Sequence, residues 1–349
     1  MNRRDFTRSG LAGVAALALP RMATPAHAQS GDGRGYRYVH LDVFTDRRLQ
    51  GNQLYVFVQP TGLDTETMQT LTRESNLSEC TFVFPPEQAG TDHRVRIFTR
   101  TAETPFAGHP TIGTAFALAH TGVLKPGAAR TMFGLGVGPT NVDLEWKDGK
   151  LAFAWMTQLK PTFGKSITDG AAVAAAIGLT PEMVRLKADA TTDAARGVRL
   201  QPDLPAGQEV NCGSTFFVVP LPTRKAVDAA VLDRAKVDAL FNAAGIQRRG
   251  LYIFSTERGQ DDATAYSRLL SAGGIEDPAT GSAAGPAGSF AAKYALAGSG
   301  GDSTIVFLQG VLVRRPSRIH VRIGSSGGEI TSVKVGGSSV VVGEGTMTP

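Results

Sequence analysis

This sequence is poor in the residues from which disulfide frameworks and metal sites are built. It has two cysteines, Cys80 and Cys212, and six histidines. The cysteine spacing matches neither a metal motif nor a disulfide framework; a bridge could form in an oxidising compartment, but two half-buried free thiols are the favoured interpretation. No histidine pair has the helical spacing of metal ligands, and no serine is placed as in a nucleophile elbow between a strand and a helix. Zinc catalysis and hydrolysis by a serine triad therefore lack support.

Long apolar runs are also scarce, and the one near the start is short. Residues 10–19 are too few to cross a bilayer as a helix, which needs about 20 apolar residues. They follow the pair Arg3-Arg4 and precede a small-residue cleavage site at residues 26–28. This order predicts a twin-arginine signal peptide over residues 1–28 and export of the folded protein to the periplasm; the alternative is a disordered basic N-terminus. No later segment predicts a membrane span.

A strong excess of either charge is absent once residues 1–28 are removed. Their loss takes away four arginines and one aspartate, so that the formal charge of +5 falls to +2. No basic run is interleaved with aromatic residues, and nucleic acid is therefore not expected as a partner, whereas a small anionic ligand is compatible. A hydrophobic content of 42% is typical of a globular protein. The remaining residues, about 320, suffice for two domains.

Residues 98–119 carry the strongest structural signal in the chain. They are typical of a strand, a loop and a helix, with Gly108 and His109 in the loop and Pro110 as the first helical residue. Proline fits there because its missing N–H would be unpaired at a helix start. Free N–H groups and the positive end of the helix dipole would then face the loop, which suits an anion such as a substrate carboxylate.

A second stretch of the same character occupies residues 276–285 and leads into a predicted helix over residues 290–296. Two such helix starts in separate halves predict two similar domains that face one cleft, divided near a hairpin turn at residues 147–150. The glycines of residues 134–138 do not predict a nucleotide-binding loop, because a strand rather than a helix follows them. Each half has strands around one long helix, which is consistent with an internal duplication.

Three titratable side chains stand out near these features. Glu79 begins a predicted strand between Leu77 and Phe82, where burial would raise its pKa into the working range of an acid–base catalyst. His109 and Asp277 each occupy a helix start. Each of the three also has an ordinary interpretation, as a solvated glutamate, a hydrogen-bonding loop histidine and a helix cap. Taken alone, the residues leave both interpretations open.

Three blocks of sequence decide between these interpretations: residues 76–79 (NLSE), 105–115 (PFAGHPTIGTA) and 276–283 (EDPATGSA). Smaller supporting matches are found at residues 42–45, 51–52, 267–268, 309–310 and 315–317. In content and in order, these blocks resemble the signature of the phenazine biosynthesis-like (PhzF-like) isomerase family. The resemblance covers the chain from Tyr36 to the C-terminus.

The resemblance implies an α/β (α+β) fold of the diaminopimelate-epimerase type. Two similar domains, each a mixed β-sheet or barrel wrapped around a central α-helix, would enclose an active site in the cleft between them. The expected domains are residues 36–149, joined by a C-terminal strand at residues 329–349, and residues 150–328. The resemblance also implies that no cofactor or metal is used. A homodimer is a further expectation from the resemblance, and the sequence itself neither supports nor opposes it.

By the same resemblance, Glu79 corresponds to a general acid/base, and His109 and Asp277 correspond to its catalytic partners. The other matched positions would bind the substrate: Ser78, Gly108, Gly281 and Ser282. The expected function is a cofactor-independent isomerase or epimerase that transfers a proton on a small carboxylate-bearing substrate. Arg314, which departs from the family pattern, and the expected export leave the identity of the substrate undetermined.

Two other functions remain as alternatives. A two-thiol racemase would need a pair of thiols, and Cys212 is far in the sequence from the second helix start. An exported protein that binds small organic acids without turnover could use the same cleft. Glu79 discriminates between binding and catalysis, because a carboxylate binder gains nothing from a buried acid that faces its ligand.

Overall fold

The computed structural model describes residues 35–186, 204–247, 250–270, 276–296 and 303–349. The predicted signal peptide at residues 1–28 lies outside these ranges. The described strands are β1 (Tyr36–Val43), β2 (Asn52–Val58), β3 (Glu79–Phe84), β4 (His93–Thr99), β5 (Glu103–Thr104), β6 (Arg130–Leu135), β7 (Gly138–Lys147), β8 (Lys150–Gln158), β9 (Thr162–Ile167), β10 (Gly207–Asn211), β11 (Thr215–Pro220), β12 (Leu251–Ser255), β13 (Ala265–Leu270), β14 (Ser303–Gln309), β15 (Ser317–Ser326), β16 (Glu329–Gly337) and β17 (Ser339–Met347). The described helices are α1 (Thr65–Ser75), α2 (Gly108–His120), α3 (Gly170–Ala176), α4 (Pro181–Val184), α5 (Arg224–Ala229), α6 (Arg234–Ala244) and α7 (Gly281–Lys293).

The two turns predicted around the middle of the chain are confirmed. The glycine-rich residues 134–138 join the antiparallel strands β6 and β7, and no helix follows them. The hairpin between β7 and β8 turns at Asp148 and Gly149, whose φ angles of 50° and 72° are left-handed. Glycine adopts this conformation without steric cost, and it suits a two-residue hairpin turn.

The starts of α2 and α7 differ from the sequence prediction. Pro110 is the third residue of α2 rather than the first, although it still lies in the first turn, where its missing N–H costs no hydrogen bond. Helix α7 begins at Gly281, well before the predicted start at residue 290, and it contains Pro286. Glycine and proline make this segment a poor helix former in isolation. Burial of the segment against the sheet overrides that propensity.

The strands form two hydrogen-bonded runs, and the order of parallel and antiparallel strand pairs is the same in both. One run is β17–β1–β2–β3–β4–β6–β7–β8, and the other is β9–β10–β11–β12–β13–β14–β15–β16. In each run the third and fifth pairs are parallel and all others are antiparallel. The antiparallel pair of β8 with β16 joins the two runs. This match supports an internal duplication, whereas the exact domain boundaries at residues 149 and 328 stay a prediction.

Each run surrounds one buried helix. Helix α2 contacts β1, β2, β3, β8 and β17, and helix α7 contacts strands β10 to β12 and β14 to β16. The first eleven residues of α2 are all buried, and α7 is nearly as well covered. A helix buried on every side needs small and apolar residues all round, which is what both sequences supply. The α/β class with two similar halves is thereby confirmed. No helix among the described residues is long and apolar enough to cross a membrane.

The N-terminal ends of these two helices touch each other. A Cβ atom built on Gly108 would lie 2.5 Å from the backbone carbon of Gly281 and 2.5 Å from the backbone nitrogen of Ser282. One built on Gly281 would lie 2.8 Å from the ring of Phe44 and 3.2 Å from the Cα of Gly108. Only glycine lets the two backbones approach so closely. The contact therefore fixes where the two halves meet.

We expect Gly108→Ala to destabilise the protein by about 1–3 kcal/mol, because the added methyl group must displace backbone atoms of the other half. Gly170→Ala is the matched control: Gly170 is also the first residue of a helix, and no atom lies within 4 Å of its added Cβ. That variant should be neutral or slightly more stable. Urea unfolding of the three proteins measures the difference. Equal midpoints for wild type and Gly108→Ala would contradict the close contact.

Candidate active site

The predicted site residues lie at the starts of three structural elements. Ser78 and Glu79 are at the start of β3, Gly108 and His109 at the start of α2, and Asp277, Gly281 and Ser282 at or just before the start of α7. Glu79 reaches α2, since its Oε2 lies 3.6 Å from Nε2 of His109. The side chain of Asn52 contacts both His109 and Asp277. The fold thus brings all seven residues into one cluster.

Glu79 is the first residue of β3 and lies at the edge of the core. It pairs with Thr99 of β4, and the residues that follow it in the strand are buried. Its side chain is only 20% exposed. Removal from water disfavours the charged carboxylate and raises the pKa of Glu79 to about 7, although a hydrogen bond with Ser78 and the positive charge of Arg100 act in the opposite direction. At neutral pH both protonation states are therefore populated, as is required of a group that takes up and returns a proton.

His109 is the second residue of α2, and its ring is buried in the same cluster. Its side chain is 4% exposed, and burial lowers its pKa to about 4. The ring is therefore neutral at pH 7, and its contact with Glu79 is not an ion pair there. Among the described residues, Nε2 has no hydrogen-bond partner. A buried nitrogen without a partner is costly, and it is the kind of atom that a bound substrate could satisfy.

Asp277 is held rigidly just before α7. Its Oδ1 accepts a hydrogen bond from Asn52 at 2.6 Å, and its Oδ2 accepts one from the hydroxyl of Thr280 at 2.6 Å. Burial and then the nearby charge of Glu79 raise its pKa to about 6, while the two donors favour the ionised form. Two carboxyl groups that share one enclosed site titrate as an interacting pair.

A second layer of buried polar groups fixes the segment around Asp277. The amide of Gln309 donates to the backbone oxygen of Asp277 at 2.9 Å and to the hydroxyl of Thr280 at 3.0 Å. Its oxygen accepts from the backbone N–H of Thr280 and from the hydroxyl of Tyr252. The hydroxyl of Ser267 lies 2.8 Å from that of Tyr252 and can donate to it. Because these groups satisfy one another, the position of Asp277 is set by the network.

The two helix starts differ from most others in the protein because no side chain caps them. Aspartate or threonine side chains accept hydrogen bonds from the first turns of α1, α3, α5 and α6. The N-caps of α2 and α7, Ala107 and Thr280, make no such bond. Their first N–H groups are therefore left for a ligand, and the helix dipoles favour a negative one. The Ser78 hydroxyl is also buried, and it lies close enough to Glu79 for a hydrogen bond that favours the ionised carboxylate.

Three site residues were not assigned a role from the residue patterns alone. The pair Gly51-Asn52 is typical of a turn, yet Asn52 begins β2 and bridges His109 to Asp277. Gln158 ends β8 and donates from Nε2 to the backbone oxygen of Gly281 at 3.0 Å. Gln309 supports the Asp277 segment. Asn52 and Gln309 fall in the smaller blocks that match the family signature, and these matches could have indicated their roles. No sequence pattern indicated a role for Gln158.

The cysteines do not take part in this cluster as a thiol pair. Both are free, and both are fully buried rather than half-buried as predicted. Burial raises the pKa of Cys80 to about 11 and that of Cys212 to about 12, so both stay protonated at neutral pH. Cys212 lies against Ser289, deep within α7, at 3.6 Å. This arrangement does not support a two-thiol racemase, which needs thiolates.

Within the described ranges, no group of three or more His, Cys, Asp or Glu side chains could hold a metal ion.

Known proteins are similar in sequence to this chain over 89% of its length. An isomerase from Pseudomonas aeruginosa, trans-2,3-dihydro-3-hydroxyanthranilate isomerase, is 34% identical over 316 residues, which cover 89% of this chain and 98% of the relative. An uncharacterized isomerase from Mesorhizobium japonicum is 33% identical over 314 residues, with the same coverage.

A solved structure and a family model lead to the same assignment as these relatives. The crystal structure of the Bacillus anthracis phenazine biosynthesis protein of the PhzF family superposes with a TM-score of 0.74, at 23% identity, over 90% of this chain and 99% of that one. The family model described as phenazine biosynthesis-like protein matches residues 41–345. The chain therefore belongs to the phenazine biosynthesis-like family, and it is an isomerase.

Proposed function

We propose that this protein is a cofactor-independent isomerase or epimerase that moves a proton on a small carboxylate-bearing substrate. Glu79 is the general acid/base in this proposal. One observation carries it: the partly protonated carboxyl of Glu79 lies 3.6 Å from the partnerless Nε2 of His109, beside two helix starts that no side chain caps. A proton carrier and an anion site thus share one enclosed space.

The substrate carboxylate binds at the two helix starts. The backbone N–H groups of Gly108, Gly281 and Ser282 belong to the first turns of α2 and α7, which have no capping side chain. Such groups bind carboxylates through hydrogen bonds and the favourable dipole. Because they are fixed by the fold, they also stabilise negative charge that develops during the reaction without reorganisation. The hydroxyl of Ser78 supplies a further donor beside Glu79.

The proton moves through Glu79. In its ionised form this carboxylate removes a proton from a carbon next to the bound carboxylate or conjugated to it. The protonated form then returns the proton to another carbon or to the same one. Neutral His109 lies beside it and hydrogen-bonds to the polar group that gains charge, and Asp277 holds the other side of the pocket. A positioned acid/base of this kind is typically worth about 10²–10⁴ in rate.

A carboxylate-binding protein without turnover is the second candidate. The uncapped helix starts would serve it equally well. Glu79 argues against it, because a buried acid next to a bound anion weakens binding when it is ionised and gives no benefit to a receptor.

Replacement of Glu79 separates these two functions. We expect wild-type protein in deuterated water to incorporate deuterium into one member of a panel of small carboxylic acids, which should include the substrate named for the P. aeruginosa relative. Glu79→Gln should lower that rate by about 10²-fold or more while retaining binding. Mass spectrometry and NMR measure the incorporation. Dialysis against EDTA should leave the rate unchanged.

The matched control is Glu74→Gln, which alters an exposed glutamate on α1. It should exchange at the wild-type rate. Binding of a panel acid by wild type and Glu79→Gln, with exchange in neither, would establish the binding protein instead. Full exchange by Glu79→Gln would show that another group is the acid/base.

The pH dependence follows from the raised pKa of Glu79. Its carboxyl must be ionised to accept a proton, so kcat/KM should rise with pH over about pH 6–7, the range in which Glu79 and Asp277 titrate, and then level off. His109, with a pKa of about 4, adds no step above pH 5. Arg100→Gln removes a charge that lowers the pKa of Glu79, and should move the rise upward. A rise centred near 4.5, the ordinary value for glutamate, would contradict the burial argument.

We also propose that residues 1–28 direct export of the folded protein to the periplasm. The support is the order of Arg3-Arg4, the short apolar run and the small-residue cleavage site. Arg3→Lys with Arg4→Lys should leave the full-length chain in the cytoplasm, whereas Arg21→Lys, outside the motif, should not. Cell fractionation and N-terminal sequencing check this; the exported chain should begin near Gln29. Export of the double variant at wild-type yield would refute the assignment.

A further inference from the structure

Asn52 is a buried amide at the point where the two halves of the protein meet. It is the first residue of β2 and is 2% exposed. Its Nδ2 lies 2.6 Å from Oδ1 of Asp277, 2.9 Å from the backbone oxygen of Ala279 and 3.2 Å from Nδ1 of His109. One side chain of the first half thus contacts the start of α2 and the segment before α7.

The amide has more polar neighbours than it has hydrogens. An asparagine NH₂ group donates two hydrogen bonds, and here it lies within range of two oxygen acceptors and of Nδ1 of His109, which accepts when the ring carries its proton on Nε2. The shortest contact is to the carboxylate of Asp277, and a hydrogen bond to a charged acceptor is stronger than one to a neutral acceptor. The contact with Asp277 is therefore the dominant one, and it sets the distance between Asp277 and the ring of His109.

The position of Asn52 is enforced from the opposite half. Nε of Arg315 donates to the backbone oxygen of Gly51 at 2.7 Å, and its terminal nitrogen donates to that of Gln50 at 2.8 Å. The same guanidinium pairs with the buried carboxylate of Asp42. Because Arg315 fixes the backbone directly before Asn52, the amide cannot withdraw from the cluster without breaking these bonds.

We propose that Asn52 is a positioning residue for the proton transfer: its amide holds the Asp277 carboxylate and the His109 ring at a fixed spacing beside Glu79. As a donor to a carboxylate, it also favours the ionised form of Asp277, so that Glu79 is the group that carries the exchangeable proton. The effect on turnover rests on the proposed function, whereas the effect on Asp277 does not.

The other groups that face Asp277 cannot replace this donor. Glu79 from β3 repels the ionised form of Asp277, and the buried ring of His109 from α2 is neutral at pH 7. Tyr252 from β12 has its pKa raised by burial, and stays neutral. Within the described structure, Thr280 supplies the one other side-chain hydrogen bond, and it uses the opposite oxygen, Oδ2. Removal of the Asn52 amide should therefore raise the pKa of Asp277.

The experiment titrates Asp277 directly, by carboxyl ¹³C NMR of protein labelled at aspartate, with Asp277→Asn to assign the signal. In Asn52→Ala the midpoint should move upward by about one pH unit or more, the shift expected for loss of a hydrogen bond to a charged group. Asn141→Ala is the matched control, because Asn141 also donates to an aspartate, Asp143, at 2.8 Å, but on β7. It should leave the Asp277 midpoint unchanged.

Asn52→Leu keeps the approximate size of the side chain, removes the donor and adds no charge. It should raise the Asp277 midpoint at least as much as Asn52→Ala, which separates loss of the hydrogen bond from loss of packing and provides a second variant if Asn52→Ala does not fold. Both variants should lower kcat more than they raise KM, with the pH rise shifted upward. An Asp277 midpoint equal to that of wild type in the Asn52 variants would overturn the proposal.

These titrations need no substrate. A normal Asp277 midpoint in the variants, together with Glu79-dependent exchange in wild type, would refute the role of Asn52 and leave the isomerase assignment intact. Shifted Asp277 midpoints in the Asn52 variants, without any exchange in wild type, would refute the proposed function. They would still support the hydrogen bond from Asn52 to Asp277.

Discussion

The contact between the N-terminal ends of α2 and α7 is the constraint on which the rest of this structure depends. Two helix dipoles meet there with their positive ends together, each equivalent to roughly half a charge, and no side chain caps either end. Such an arrangement is unfavourable unless negative charge lies between or beside the ends. The glycines that permit it, Gly108 and Gly281, leave no room for any other residue. The carboxylate of Asp277 supplies negative charge within the protein, and in the proposed function a substrate carboxylate supplies the rest.

The same contact explains the protonation pattern of the site. Glu79 and Asp277 lie in one partly dry space, where two full negative charges would repel each other. Burial keeps His109 neutral, so it does not compensate them by charge. The donors around Asp277, Asn52 and Thr280, stabilise its ionised form, whereas Glu79 lies at the edge where a proton can enter and leave. Burial is thus the largest cause that raises the pKa of both carboxyl groups, and hydrogen bonds oppose it at each, from Ser78 at Glu79 and from Thr280 and Asn52 at Asp277.

Sequence reasoning predicted the parts of this structure that local patterns encode. The strand of Glu79, the glycine turns and the presence of one long helix in each half follow from alternation, turn residues and small-residue clusters. It placed the start of α7 too late, because glycine and Pro286 argue locally against a helix that only the surrounding sheet stabilises. It could not predict the bridge from Asn52 to Asp277, since these residues are 225 positions apart and meet only through pairing of the two halves. The roles of the site residues, the export signal and the homodimer remain predictions.

The final strand has a consequence for biosynthesis. β17, at the C-terminus, pairs with β1, at the start of the described chain, and both contact α2. The first half of the nascent chain therefore lacks one strand of its sheet until residues 339–347 have been synthesised, and contacts this distant in sequence form slowly. If the protein is exported in the folded state, as we propose, the sheet of its first half is complete for export only after β17 has paired with β1.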